Sequence, residues 1–152
     1  MKTQTFKMKT QTFNLIHINW SREKPDAINN KRKNKRKNCL YIVYVDSPIY
    51  GNDVLLYIGQ KNNFSKREEQ HQKSDFERIN NARYVIGTSD DFENKPNILD
   101  ISESLLITML KPSYNSSSIK DVNEYLKKTD KYLLLNNGDR ESIPLEISNI
   151  WW

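Results

Sequence analysis

Leu40-Tyr41-Ile42-Val43-Tyr44-Val45-Asp46 and Val54-Leu55-Leu56-Tyr57-Ile58-Gly59 decide the fold. Both runs are rich in β-branched and aromatic residues, which suit a pleated, half-buried surface. The stretch between them, Ser47-Pro48-Ile49-Tyr50-Gly51-Asn52-Asp53, has turn chemistry throughout. Together they read as an antiparallel hairpin.

Downstream of the hairpin, residues 65–80 read as a helix, with Ser65 and Glu68 spaced as a capping box. Arg83–Thr88 reads as a short third strand. A second helix is expected to start at Asp100 or Ser102 and to be stopped by Pro112. Ser116–Ser118 forms a polar joint. Ile119, Val122, Tyr125 and Leu126 then recur at helical spacing. Lys131–Leu135 and Ser142–Ile147, around an Asn136-Asn137-Gly138-Asp139 turn, predict a closing hairpin. Upstream, Ile16, Ile18 and Trp20 alternate onto one side of an extra strand that docks on the domain. The MKTQTF segment at 1–6 is repeated at 8–13, and no function follows from it.

The expected class is α/β (α+β). The expected organisation is a basic N-terminal extension over residues 1–38, a core over 39–118, and a C-terminal helix and hairpin packed on it over 119–152.

Charge is distributed unevenly. The chain has 24 basic and 19 acidic residues, yet residues 1–38 alone carry 11 basic and 2 acidic ones. The remainder is net acidic. Six of the seven residues from Lys31 to Lys37 are basic, a run that repels itself and stays solvated. Hydrophobic content is 36%, low but clustered enough for a small core. No apolar run approaches a membrane span, and no secretory signal is visible, so a reducing, cytoplasmic setting is expected. A lone Cys39 fits that compartment, and one cysteine with two histidines argues against a zinc site.

Five positions carry chemistry: Tyr41 and Tyr57 in the two strands, Arg67 and His71 four apart on the first helix, and Glu103 on the second. With Tyr57-Ile58-Gly59 leading into the Arg/His helix and Lys111-Pro112-Ser113-Tyr114-Asn115 closing the Glu helix, the chain resembles the GIY-YIG nuclease family over residues 39–115. Cys39-Leu40-Tyr41 stands where the family has Gly-Ile-Tyr. An alternative register ends at Tyr44. Tyr41 is preferred because apolar residues usually follow the motif tyrosine, and alternation puts the two tyrosines on opposite faces. The resemblance implies a small domain with a central, mostly antiparallel three-stranded sheet flanked by helices. The N-terminal strand and the C-terminal helix–hairpin would be additions to it.

Phosphodiester hydrolysis needs an attacking water, charge neutralisation at phosphate, and help for the leaving group. The resemblance implies Tyr41 as general base, Tyr57 orienting water or phosphate, His71 assisting proton transfer, Arg67 forked onto the phosphate, and Glu103 holding Mg²⁺ or Mn²⁺. His71 is the alternative base, because its ordinary pKa lies nearer to working pH. Mg²⁺ takes only one or two carboxylates, so Glu103 suffices. Gly59 and Asn115 would be structural at the site. Glu103 also has a rival role, because Asp100-Ile101-Ser102-Glu103 has the spacing of a capping box.

The expected function is DNA cleavage of the restriction, phage or mobile-element kind. Lys31, Arg32, Lys33, Lys35, Arg36, Lys37 and Lys61 would contact the backbone. The run at 31–37 has a plainer reading as an exposed loop. Ile150-Trp151-Trp152 could pack on the core, contact a second copy or stack on a base. One active site per chain favours a homodimer or sequential nicking. The competing functions are a non-catalytic nucleic-acid-binding protein on the same fold and an RNA-directed nuclease.

Overall fold

The computed structural model describes residues 13–23, 38–61, 81–118, 126–127 and 130–150. The expected helix at 65–80 with Arg67 and His71, the basic run at 31–37, the MKTQTF repeat, most of the 119–129 helix and the terminal tryptophans lie outside them.

The protein is α+β. Its strands are β1 (Asn14–Glu23), β2 (Cys39–Ser47), β3 (Gly51–Lys61), β4 (Arg83–Thr88), β5 (Tyr132–Gly138) and β6 (Glu146–Ser148). A four-residue helix α1 (Asp91–Asn94), a longer helix α2 (Pro96–Leu110) and a 3₁₀ helix (Ser113–Ser118) lie between β4 and β5. The strands form one six-stranded sheet in the order β3-β2-β4-β1-β5-β6. All pairings are antiparallel except β1 with β5, which is parallel.

The strand at 14–23, from the segment read as an extension, is therefore an interior strand. Ile16, Ile18 and Trp20 alternate inward and are almost wholly buried. They join Leu40, Ile42, Tyr44, Ile58, Val85, Leu134 and Ile147 on one face of the sheet. Leu99, Leu105 and Leu106 of α2 pack on the same face. On the other face, Val43, Val45 and Leu56 form a second cluster with Tyr41, Val54, Tyr57, Ala82 and Tyr84. Both faces of β2 are thus covered, which explains its near-continuous apolar sequence.

Two expected boundaries are corrected. The Glu103 helix begins at Pro96, not at Asp100 or Ser102. Proline at the first helical position has its φ already set, and its missing N–H costs no helical bond. The helix ends where Lys111 adopts the left-handed conformation, φ 49°, and donates its N–H to the Ile107 carbonyl at 2.9 Å, just before Pro112. The Asn136-Asn137-Gly138-Asp139 stretch is not the closing turn, because β5 runs to Gly138. Asn136 is fully buried and its Oδ1 accepts the Trp20 indole N–H at 2.9 Å, so a turn-type residue is held inside a strand. Among the described residues no helix is long and apolar enough to cross a membrane.

Candidate active site

The strand order leaves β3 at the edge of the sheet, beside β2. Gly59 lies opposite Tyr41 and Tyr57 opposite Val43. Alternation then puts Tyr57, Gly59 and Lys61 on the same face as Tyr41. Gly59 permits the convergence of the two tyrosines. A methyl group there would lie 2.5 Å from Cζ and Oη of Tyr41 and 2.7 Å from Cε1 of Tyr57. The ring centroids are 5.8 Å apart and the planes are tilted by 39°, within the range of aromatic pairs.

Tyr44 faces the other way. It is 2% exposed within the main core, and its hydroxyl is 3.0 Å from Ser142 Oγ. Burial pushes its pKa above the ordinary 10. Of the two candidate motif tyrosines, Tyr41 shares the surface of Tyr57 and Tyr44 is a core residue.

Two polar clamps hold the α2 segment against β3. Asn115 Oδ1 accepts the Ile58 N–H at 2.9 Å, and Asn115 Nδ2 donates to the Ile58 carbonyl at 2.9 Å. Both Ile58 groups belong to the open edge of the sheet, so the buried carboxamide pairs them as a neighbouring strand would. Nearer the start of the helix, Gln60 Nε2 donates to Asp100 Oδ1 at 2.7 Å. Glu103, half-buried, lies one helical turn beyond Asp100 and so on the same side of the helix. It sits inside α2, so the capping-box role does not hold.

Tyr41, Tyr57, Gly59 and Lys61 are therefore brought to one face. Glu103 is not on that face. Its helix packs from the main-core side and is tied to the edge strand at Gln60 and Ile58, where the two sides of the sheet meet. Arg67, His71 and the cations of the 31–37 run lie outside the described residues.

Sequence reasoning missed Gln60 and assigned Asp100 to a cap. The available signal was position, because Gln60 directly follows Tyr57-Ile58-Gly59. The Gln60 Oε1 atom is buried without a hydrogen-bond partner among the described residues. Among the described residues no group of three or more His, Cys, Asp or Glu side chains could hold a metal. The carboxylates on this side of α2 are those of Glu103 and of Asp100 one turn away, both oxygen donors. That chemistry suits a hard, largely hydrated cation such as Mg²⁺ rather than a multidentate cage.

Comparison with family models, with curated proteins and with solved structures finds no match for this chain.

Proposed function

We propose that the chain is an endonuclease that hydrolyses phosphodiester bonds in DNA with Mg²⁺ or Mn²⁺, of the restriction, phage or mobile-element kind. The proposal takes β3-β2-β4 as the antiparallel three-stranded sheet of a GIY-YIG-like core. The observation that carries it is the pairing of Tyr41 and Tyr57 over Gly59, with Tyr44 turned into the core. Three residues of the two motifs stand together across adjacent strands, with both rings only partly buried at the margin of the second apolar cluster.

In this reading Tyr41 removes a proton from the attacking water, and Tyr57 orients that water or the phosphate. Arg67 places a planar fork of donors on the phosphate and stabilises the charge of the transition state. His71 moves the proton onward, or serves as the base itself. Lys61, on the tyrosine face, and the cations at 31–37 hold the backbone. Glu103 would hold the divalent ion, with the Asp100 carboxylate one helical turn away. The bound ion supplies charge neutralisation at the phosphate and stabilises the departing 3′ oxygen. Asn115 keeps the end of the Glu103 helix fixed on β3.

Incubation of the full chain with supercoiled plasmid, with Mg²⁺ or with EDTA, tests the reading. Nicked or linear product with Mg²⁺ alone is expected. Plasmid binding without cleavage would make the protein a non-catalytic binder, and cleavage of RNA alone would redirect the substrate.

A further inference from the structure

A concave site apart from the tyrosines opens beside Asn19, Thr88 and Asn137, which alternation places on the tyrosine side of the sheet. It is a cleft of about 490 Å³ over the middle of β1 and the ends of β4 and β5, lined among others by His17, Asn19, Asn38, Thr88, Asp90 and Asn137. Its floor is built on strands, because Asn19 is opposite Thr88 on β4 and beside Asn137 on β5. Side chains carried by strands are held more firmly than side chains on loops.

Position links the cleft to the candidate active site. Tyr41 is opposite Ile86, and Thr88 is two residues further along the same face of β4. Strand spacing and rise put Thr88 roughly 8 Å from Tyr41, with Asn19 and Asn137 one and two strands beyond. Nucleic acid with a phosphate at the tyrosines would carry its next nucleotides toward this cleft.

The lining selects the ligand class. It contains no lysine or arginine among the described residues, and Asp90, Asp91 and Glu93 add negative charge, so phosphate is disfavoured. The described acids and histidines do not form a metal-binding group. Beside these carboxylates the lining carries the amides of Asn19, Asn38 and Asn137, each with an acceptor oxygen and two donor hydrogens, the combination that reads base edges. Asn38 is committed to the protein, because its Nδ2 donates to the Phe92 carbonyl at 3.1 Å. The side chains of His17, Asn19 and Asn137 have no hydrogen-bond partner among the described residues. The volume falls within the range of small-molecule sites and admits a single base.

We propose that this cleft binds one unpaired base of the substrate strand, next to the cleaved phosphate, and favours bases with an exocyclic amine. The proposal rests on the nuclease reading for the position of the phosphate. The Asn19 and Asn137 amide oxygens accept from the exocyclic amine of adenine, cytosine or guanine, whereas thymine has none to offer.

The test uses the full chain in EDTA and labelled single-stranded oligonucleotides that differ at one central base, with affinity read by fluorescence anisotropy. Wild type is expected to bind amine-bearing bases about tenfold more tightly than thymine. The Asn19→Ala/Asn137→Ala variant is expected to bind all four alike. Both asparagines are exposed, and circular dichroism verifies that the double variant is folded. Equal binding of all four bases by wild type, or a preference that survives the double substitution, overturns the cleft. A preference without plasmid cleavage leaves the cleft standing and removes the hydrolytic reading. Cleavage without a preference, or without binding to any oligonucleotide, does the reverse.

Discussion

Tyr41 lies across Gly59 so closely that a methyl group on residue 59 would sit 2.5 Å from its Cζ and Oη. The glycine therefore sets where the phenol rests. The clash involves the far end of a ring, which can swing away while the strand stays paired. Gly59→Ala should thus cost only about 1 kcal/mol of stability. The same swing displaces the proposed base, and a misplacement near 1 Å is worth about a hundredfold in rate. Thermal melting beside plasmid cleavage measures both quantities. Full cleavage by the variant would show that the position of the Tyr41 ring is immaterial.

The two tyrosines of β2 should separate function from fold. Tyr44→Phe removes the hydrogen bond to Ser142 Oγ at 3.0 Å, worth about 1 kcal/mol. Its melting temperature should fall by roughly 2–4 °C while cleavage is unchanged. Tyr41→Phe should lose turnover and melt close to wild type. A Tyr44→Phe variant that is stable but inactive would move the site to the wrong side of the sheet.

The local signals of the sequence sufficed for strands whose partners are near in the chain. Arg83–Thr88 has the bounds expected from its β-branched and aromatic residues, and the β2–β3 hairpin follows its turn. They failed where a distant partner decides. Asn136-Asn137-Gly138-Asp139 has turn composition, yet the Trp20 indole, 116 residues away in sequence, needs an acceptor and holds Asn136 in a strand. The parallel β1–β5 pair has the same origin. At the site, the tyrosine face was legible because alternation along two paired strands fixes it. The Gln60–Asp100 clamp was not, because Asp-x-x-Glu reads as a cap until Pro96 is seen to start the helix.

Asn115 is expected to be the most costly polar substitution near the site. Its carboxamide satisfies both Ile58 backbone groups, at 2.9 Å each, and Asn115→Ala leaves a donor and an acceptor unpaired at a buried edge. A loss of about 2–3 kcal/mol follows, read by denaturant unfolding. Wild-type stability in this variant would mean that water replaces the amide there without cost.

The hairpin has an acid-sensitive tie at its turn end. The Arg83 guanidinium, 3.1 Å from Asp46 Oδ1, holds the Asp46 carboxyl below its ordinary 3.8, helped by the Asp53 N–H. A carboxyl depressed in the folded state stabilises the fold at pH above its unfolded value. That contribution fades as pH falls through the depressed folded value. Arg83→Gln should therefore melt below wild type at neutral pH, with the gap closing under acid conditions below about pH 4. A gap that is constant with pH would assign the loss to packing instead.

Glu103 and Arg67 give the sharpest test of hydrolysis. Glu103 lies inside a helix that begins at Pro96, so its carboxylate is not spent on capping. Glu103→Gln keeps shape and removes the negative charge that would hold the divalent ion. Arg67→Ala removes the fork proposed for the phosphate. Each should lower cleavage by at least about a hundredfold, the scale seen when one transition-state contact is lost. Melting temperature and oligonucleotide affinity in EDTA should change little, because neither needs the metal. Plasmid cleavage with Mg²⁺, run beside those two measurements, reads the outcome. Wild-type cleavage by both variants would refute the assignment of the site, whereas loss of cleavage together with loss of folding would make Glu103 a structural residue.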